Sequence, residues 1–449
     1  MPKRTIDWFS SQVGNFTPFL RRASSSMPLK SFSPLGSIPP CLVAALLLVP
    51  GFCGAQEALK NAIFQDQGFS QRQAAAAQDF GQPTADKPAF TVGTSLGIQY
   101  DDNINLVEFN PLSDVIISPG VNFAGQWPIS QTSQLTFGLG VAYEKYLNHS
   151  DYDRLTLSPK SVLALDIPAH DFVFSFYDSV NYSQDAISQA ALSGVGQYSL
   201  FENIVGTRVT WQPSDWWIQV GYAHGTTISP AGDFDYLNGS TEQFFGRVGY
   251  RLARATTVGL EASATLADFD STTQPDSTSY TFGPFVEWKI TEAIDINIRG
   301  GLSHNTYDPT NSLGQAQNLN SYYSHLSVNQ RLTEFVSHSL GGGHQVASGV
   351  NQGSAYVESS TVNYQITWAL LRNTSLSGNV SYQIGNQPSI GPGGRAEDFT
   401  QLGFGLGIRQ GLTKKLSSSL AYNYTQRDSN LPTRGYTQNT VTLTINYQF

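Results

Sequence analysis

The feature that most constrains this chain is an alternation repeated along most of its length. From Phe90 onward, segment after segment places an apolar side chain at every second position. A period of two belongs to an extended strand with two unlike faces, because successive side chains point to opposite sides. In the last segment Val441, Leu443, Ile445, Tyr447 and Phe449 share one face, while Thr442, Thr444, Asn446 and Gln448 share the other. The same parity runs through Leu135, Phe137, Leu139, Val141 and Tyr143, and through Leu402, Phe404, Leu406 and Ile408. It recurs in Ile294, Ile296 and Ile298 and in Val362, Tyr364, Ile366 and Trp368. The opposite faces carry Gly, Ser, Thr, Asn, Gln and some charges, too many polar groups for a dry core. A closed barrel with a wet lumen resolves this, since lipid then covers the apolar face.

The connections point the same way. Short turns fall at Pro168-Ala169-His170, Pro213-Ser214-Asp215, Arg254-Ala255, Thr291-Glu292-Ala293, Thr333-Glu334-Phe335 and Leu370-Leu371-Arg372. Longer polar stretches fall between them at 184–199, 229–240, 308–319 and 386–397. Outer-membrane barrels alternate short periplasmic turns with longer external loops. The pattern predicts an all-β, transmembrane, antiparallel up-and-down barrel of about 18 strands over 89–449, the first near 89–101 and the last near 436–449. Two segments fit it less well. Asp178 falls on the apolar face of its strand, so either a bulge shifts the register or the carboxylate meets a partner. Gly341-Gly342-Gly343 inside strand thirteen marks a bulge or a close approach to an inward loop.

Composition supports a barrel over a bundle of membrane helices. Charged residues make up 13% of the chain, half the usual fraction, while aromatics reach 12% and glycines number 41. Mean hydropathy is −0.21, as strands that are half apolar and half polar require. A net charge of −9 argues against a nucleic-acid partner.

The N-terminus reads as a targeting segment. Basic residues precede the run Leu42 to Val49, and a small-residue exit follows at Cys53-Gly54-Ala55. We expect a signal peptide over 1–55, with Met27 as an alternative start, and a Gln- and Ala-rich periplasmic tail over 56–88. The apolar run is too short to span a bilayer. A lipoprotein reading through Cys53 ranks lower, because Phe52 makes a poor neighbour for acylation. Both cysteines, Cys41 and Cys53, lie in the segment to be removed, which suits export through an oxidising compartment.

Two motifs carry a resemblance. The final strand, with Val441, Leu443, Ile445, Tyr447 and Phe449 on one face, is like the C-terminal signal read by the barrel-assembly machinery of Gram-negative bacteria. The first strand, VGTSLGIQYDDNINL, resembles the β-barrel porins often associated with exopolysaccharide production; its distinctive string is Tyr100-Asp101-Asp102-Asn103. The resemblance implies an outer-membrane location, lipid as surroundings, and a small solute or an exported polysaccharide as cargo. The same Asp and Asn residues could ligate calcium, although a polar turn is the simpler reading.

Parity places Arg208, Arg247, Arg251, Lys289, Arg299, Arg331, Arg409 and Arg427 on the inward face, with Glu144, Glu261 and Glu287. Such side chains line a pore and set ion preference, or pair across strands and fill it. Since bases outnumber acids in this set, a weakly anion-favouring lumen is expected. Tyr177 and Tyr323 point inward too. No catalytic, cofactor or metal constellation is evident, and no Gly-x-Ser-x-Gly elbow or phosphate loop occurs. His149 near Asp151 and Asp153 is most simply a polar loop. A pore is therefore the first reading. A plugged structural or surface-binding barrel is the second, decided by whether a loop folds inward, with 184–199 the longest candidate. A hydrolase is a third, and it requires a Ser or Asp beside a His near the outer rim.

Overall fold

The computed structural model describes residues 88–130, 133–183, 186–309, 317–390 and 394–449. The expected signal peptide, and the tail up to residue 87, lie outside the described residues. The first nine strands are β1 (Ala89–Asp101), β2 (Asp114–Pro128), β3 (Gln134–Tyr146), β4 (Arg154–Ala169), β5 (Phe172–Ser183), β6 (Leu200–Trp211), β7 (Trp216–Ile228), β8 (Gly239–Ala253) and β9 (Thr256–Phe269). The other nine are β10 (Ser277–Thr291), β11 (Ile294–Tyr307), β12 (Gln317–Arg331), β13 (Val336–Ser348), β14 (Tyr356–Leu371), β15 (Thr374–Ile390), β16 (Arg395–Gly411), β17 (Leu416–Ser429) and β18 (Tyr436–Gln448). Every strand pairs antiparallel with its sequence neighbours, and β1 also pairs with β18, from Gly93 opposite Gln448 to Asp101 opposite Thr440. The sheet closes on itself as an 18-stranded up-and-down barrel.

The two rims differ as the sequence implied. One carries the two-residue turns 170–171, 254–255, 292–293 and 372–373; the other carries long connections such as 102–113, 184–199 and 229–238. The side chains of Leu96, Ile98, Leu139, Phe404, Leu406, Leu443 and Ile445 stand exposed on the outer face. Trp127, Trp211, Trp216, Trp288 and Trp368 stand out near the short-turn rim, and Tyr100, Tyr143, Tyr280 and Tyr322 nearer the other. An apolar band between two aromatic girdles is the exterior that a bilayer demands.

The awkward segments resolve on inspection. Asp178 does face outward, opposite Leu163 and Val205, and it meets a partner: Asn203 Nδ2 donates to Asp178 Oδ1 at 2.6 Å. The bulge lies nearby on β4, where the ladder to β5 slips between Leu157 and Ser161. The glycine triplet runs through unshifted ladders to β12 and β14, and the backbone of those strands presses on Gly342 and Gly343. The stretch 386–397 is mostly strand rather than loop. Asn386 pairs with Asp398, Gln387 with Glu397 and Ile390 with Arg395.

The Tyr-Asp-Asp-Asn string closes the barrel. Asp102 accepts from the backbone N–H and side chain of Asn439 at 2.6 and 2.7 Å. Asp101 accepts from Gln438 Nε2 at 2.8 Å, and Asn103 Nδ2 donates to the carbonyl of Thr437 at 2.9 Å. Both Asp102 oxygens and Asp101 Oδ2 are spent on β18, while Asp101 Oδ1 and Asn103 Oδ1 accept from the backbone N–H of Asn103 and Val107, so the string is accounted for by the seam and by its own turn.

Candidate functional site

The site begins with the connection between β5 and β6. A single turn of 3-10 helix at 186–188 starts it, with Gln189 N–H on the carbonyl of Ala186 and Leu192 N–H on that of Gln189. Leu192 and Tyr198 then bury with Leu106, Phe234, Leu237 and Tyr436. Ala190 and Ala191 bury against Val357 and Phe399, which belong to strands far around the barrel. The segment thus folds inward and crosses the lumen. Burial holds the phenol of Tyr198 well above the usual tyrosine range, so it stays neutral.

Small side chains at 190 and 191 let the far wall approach the backbone. The carbonyl of Ala191 accepts from Arg434 Nη2 at 2.8 Å, Asn351 Nδ2 at 2.9 Å and Gln387 Nε2 at 3.1 Å. The carbonyl of Ala190 accepts from Arg427 Nε at 2.6 Å. Arg427 also pairs with Glu397 at 2.7 Å, both side chains being fully buried. Glu397 in turn accepts from Arg434, Ser429 and Gln387 at 2.9, 2.6 and 2.7 Å. The guanidinium of Arg427 lies 4.9 Å from the ring of Phe399. That ring rests on Gly385, its ladder partner, where a Cβ would collide with it.

A second cluster sits in the opposite wall. Arg247 pairs with Glu261 at 3.3 Å and Glu287 at 3.2 Å. It lies 4.2 Å from the ring of Phe285 and 4.9 Å from that of Trp217. Phe285 rests on Gly259, again its ladder partner. Tyr323 donates to Glu261 at 3.0 Å, and Arg299 lies within electrostatic reach of Glu261 and Arg247.

The remaining inward candidates do not join these clusters. Arg208 reaches Ser175 Oγ at 3.5 Å, and Ser175 donates to Asp166 at 2.5 Å. Glu144 pairs with Arg154 at 2.5 Å. Arg251, Lys289, Arg331 and Arg409 lie near the short-turn ends of their strands, the first three exposed. Tyr177 packs in the wall with Ala164, Ala223 and Phe245. Sequence reading missed Glu397 and Arg434, and it omitted Glu202 and Asp166, although the parity that selected Arg208 also turns Glu202 inward. With these acids counted, the excess of bases on the inner face narrows.

Beneath the crossing segment lies a cavity. Glu202, Thr227, Thr241 and Ala267 line one side of it, and Val357, Ser359 and Gln383 the other.

The hydrolase requirement has a geometric echo at the outer rim. His344 Nδ1 is 2.9 Å from Ser360 Oγ, and its Nε2 is 3.1 Å from Glu358. Ser360 is held in ladders on both sides, opposite His344 and Ile384. His149 binds Asp114 at 2.9 Å, while Asp153 pairs with Lys145.

Residues 324–449 match the family described as "Putative beta-barrel porin 2". No curated protein matches the chain. Among solved structures, OccK2 (OpdF) of Pseudomonas aeruginosa is 10% identical, with 81% of this chain and 97% of that one covered and a TM-score of 0.46. OccK1 (OpdK) of the same organism is 10% identical, covering 80% and 99%, with a TM-score of 0.46. OccAB3 of Acinetobacter baumannii is 12% identical, covering 82% and 100%, with a TM-score of 0.45. The chain is a closed 18-stranded antiparallel β-barrel, and its C-terminal part, 324–449, is similar to that porin family.

Proposed function

We propose that the barrel is a channel for small hydrophilic solutes, narrowed by the segment between β5 and β6. The observation that carries this reading is the anchoring of the Ala190 and Ala191 carbonyls on the far wall by Arg427, Arg434, Asn351 and Gln387. A segment tied across a lumen by directed hydrogen bonds sets a fixed aperture, and barrels of 16 to 18 strands leave an aqueous channel to be narrowed. Arg208, Arg247, Arg251, Glu261, Glu287, Lys289, Arg299, Arg331, Arg409 and Arg427 are the proposed pore-lining set. No covalent chemistry is part of this reading. The outer face of β18, Val441 to Phe449, is the proposed recognition strand for the assembly machinery.

The test is single-channel conductance of the mature chain, Gln56 to Phe449, refolded into a planar bilayer. Stable ohmic steps are expected. Block by added oligosaccharides would extend the cargo to sugars and support the exopolysaccharide association. Silence from folded, inserted protein would favour the second reading, in which the crossing segment is a plug and the external loops meet a partner.

A further inference from the structure

We propose that the cavity beneath the crossing segment binds small organic monocations, with the Glu202 carboxylate as its anionic anchor. Glu202 is the one charged side chain among the described residues that line this space, and it is nine-tenths buried. Its neighbour is neutral: Asn181 Nδ2 donates to one carboxylate oxygen at 3.2 Å. The carboxylates of Glu144, Glu261 and Glu397 each face an arginine. Glu202 pairs with no cationic side chain among the described residues.

A buried carboxylate without a counter-charge is unfavourable, and a bound cation relieves that penalty while an anion aggravates it. The rest of the lining suits the organic part of such a ligand. Tyr198 and Phe269 offer aromatic faces, which attract cations as well as apolar stems. Thr227 and Gln383 present neutral oxygens to an ammonium or guanidinium group. A primary amine or guanidine on a short apolar stem fits this set; a carboxylate does not, and a neutral alcohol gains no ion pair.

The use of such a site in transport rests on the channel reading, but binding is a separate measurement. The probe is phenethylammonium, with 2-phenylethanol and 3-phenylpropionate as neutral and anionic counterparts, titrated calorimetrically into the refolded chain in lipid nanodiscs. Phenethylammonium is expected to bind about tenfold or more tighter than either counterpart, and to weaken as salt is raised. Glu202→Gln should lower its affinity about tenfold and leave that of 2-phenylethanol unchanged. Glu334→Gln, on a periplasmic turn, should alter neither. Equal affinities for the three probes, or full affinity in Glu202→Gln, would overturn the site. Should Glu202→Gln fail to refold, the wild-type charge series and its salt dependence decide alone. A conducting barrel without charge discrimination rejects the cavity site and spares the channel. A charge-selective binder that never conducts does the reverse.

Discussion

Arg247 and Arg427 are both fully buried, both lie against a phenylalanine seated on a glycine of the next strand, and both pair with a carboxylate on a neighbouring strand. They differ in reach. The carboxylates that pair with Arg247 come from β9 and β10 and its Trp217 neighbour from β7, strands near its own, so the cluster cements one patch of wall. Arg427 has its carboxylate on β16, but its Nε also takes the carbonyl of Ala190, 237 positions away in the chain. The same parts serve as mortar in one place and as a tether in the other. A single backbone acceptor, presented by a segment that crosses the lumen, makes the difference.

The largest effect should come from Arg427→Ala. It leaves the Ala190 carbonyl without its donor and removes one of the two arginines on Glu397. Single-channel conductance should rise severalfold as the segment loosens; an unchanged aperture would mean that Asn351, Gln387 and Arg434 suffice. Arg247→Ala should act on stability instead. Stripping a buried pair of one partner is worth about 3–5 kcal/mol, visible as a lower urea midpoint in vesicles, with conductance altered by less than about twofold. A large conductance change here would break the distinction between mortar and tether.

How much of this could be read beforehand follows from the same contrast. The barrel was legible because alternation acts on every strand, as in Val441 to Phe449, and the inward aim of Arg247, Glu261 and Arg427 followed from parity. The tether was not legible. Backbone carbonyls have no sequence signature, and an Ala-Ala pair in a polar loop gives no hint that four side chains will converge on it. Glu397 was missed because the sequence between Asn386 and Glu397 reads as a loop, whereas neutral polar residues there extend a hairpin, and Arg434 because it lies in the connection between β17 and β18, where strand parity does not apply. A signal was available in the glycines. Gly385 and Gly259 sit inside strands where a side chain would normally be favoured, and each marks the seat of an aromatic that carries a buried arginine.

Two smaller effects sharpen the comparison. Glu397→Gln keeps its shape but loses the charge facing two arginines, whereas Glu287→Gln removes one of two acids from Arg247. The first should lower stability by about 2–3 kcal/mol and the second by about 1 kcal/mol, read from paired unfolding curves. Smallest of all should be Arg247→Lys, since a point charge can still face two carboxylates. Arg427→Lys should lose more, because an ammonium lacks the planar fork that meets Glu397 and Ala190 together. If the two lysine variants are equally tolerated, geometry at Arg427 matters less than charge.

The ladder between β1 and β18 has a kinetic meaning. Seventeen of the ladders join strands adjacent in sequence and can form locally, hairpin by hairpin. The eighteenth brings Gly93 beside Gln448, so nearly the whole chain is the loop that must close. That entropic burden cannot be spread over the other seams, and contacts of such high order set the pace of folding. Asp101, Asp102 and Asn103 stand at the place where the slowest encounter must be made to last. Their hydrogen bonds to Gln438, Asn439 and Thr437 act as a catch, slowing the reopening of a ring that has only just met its own tail.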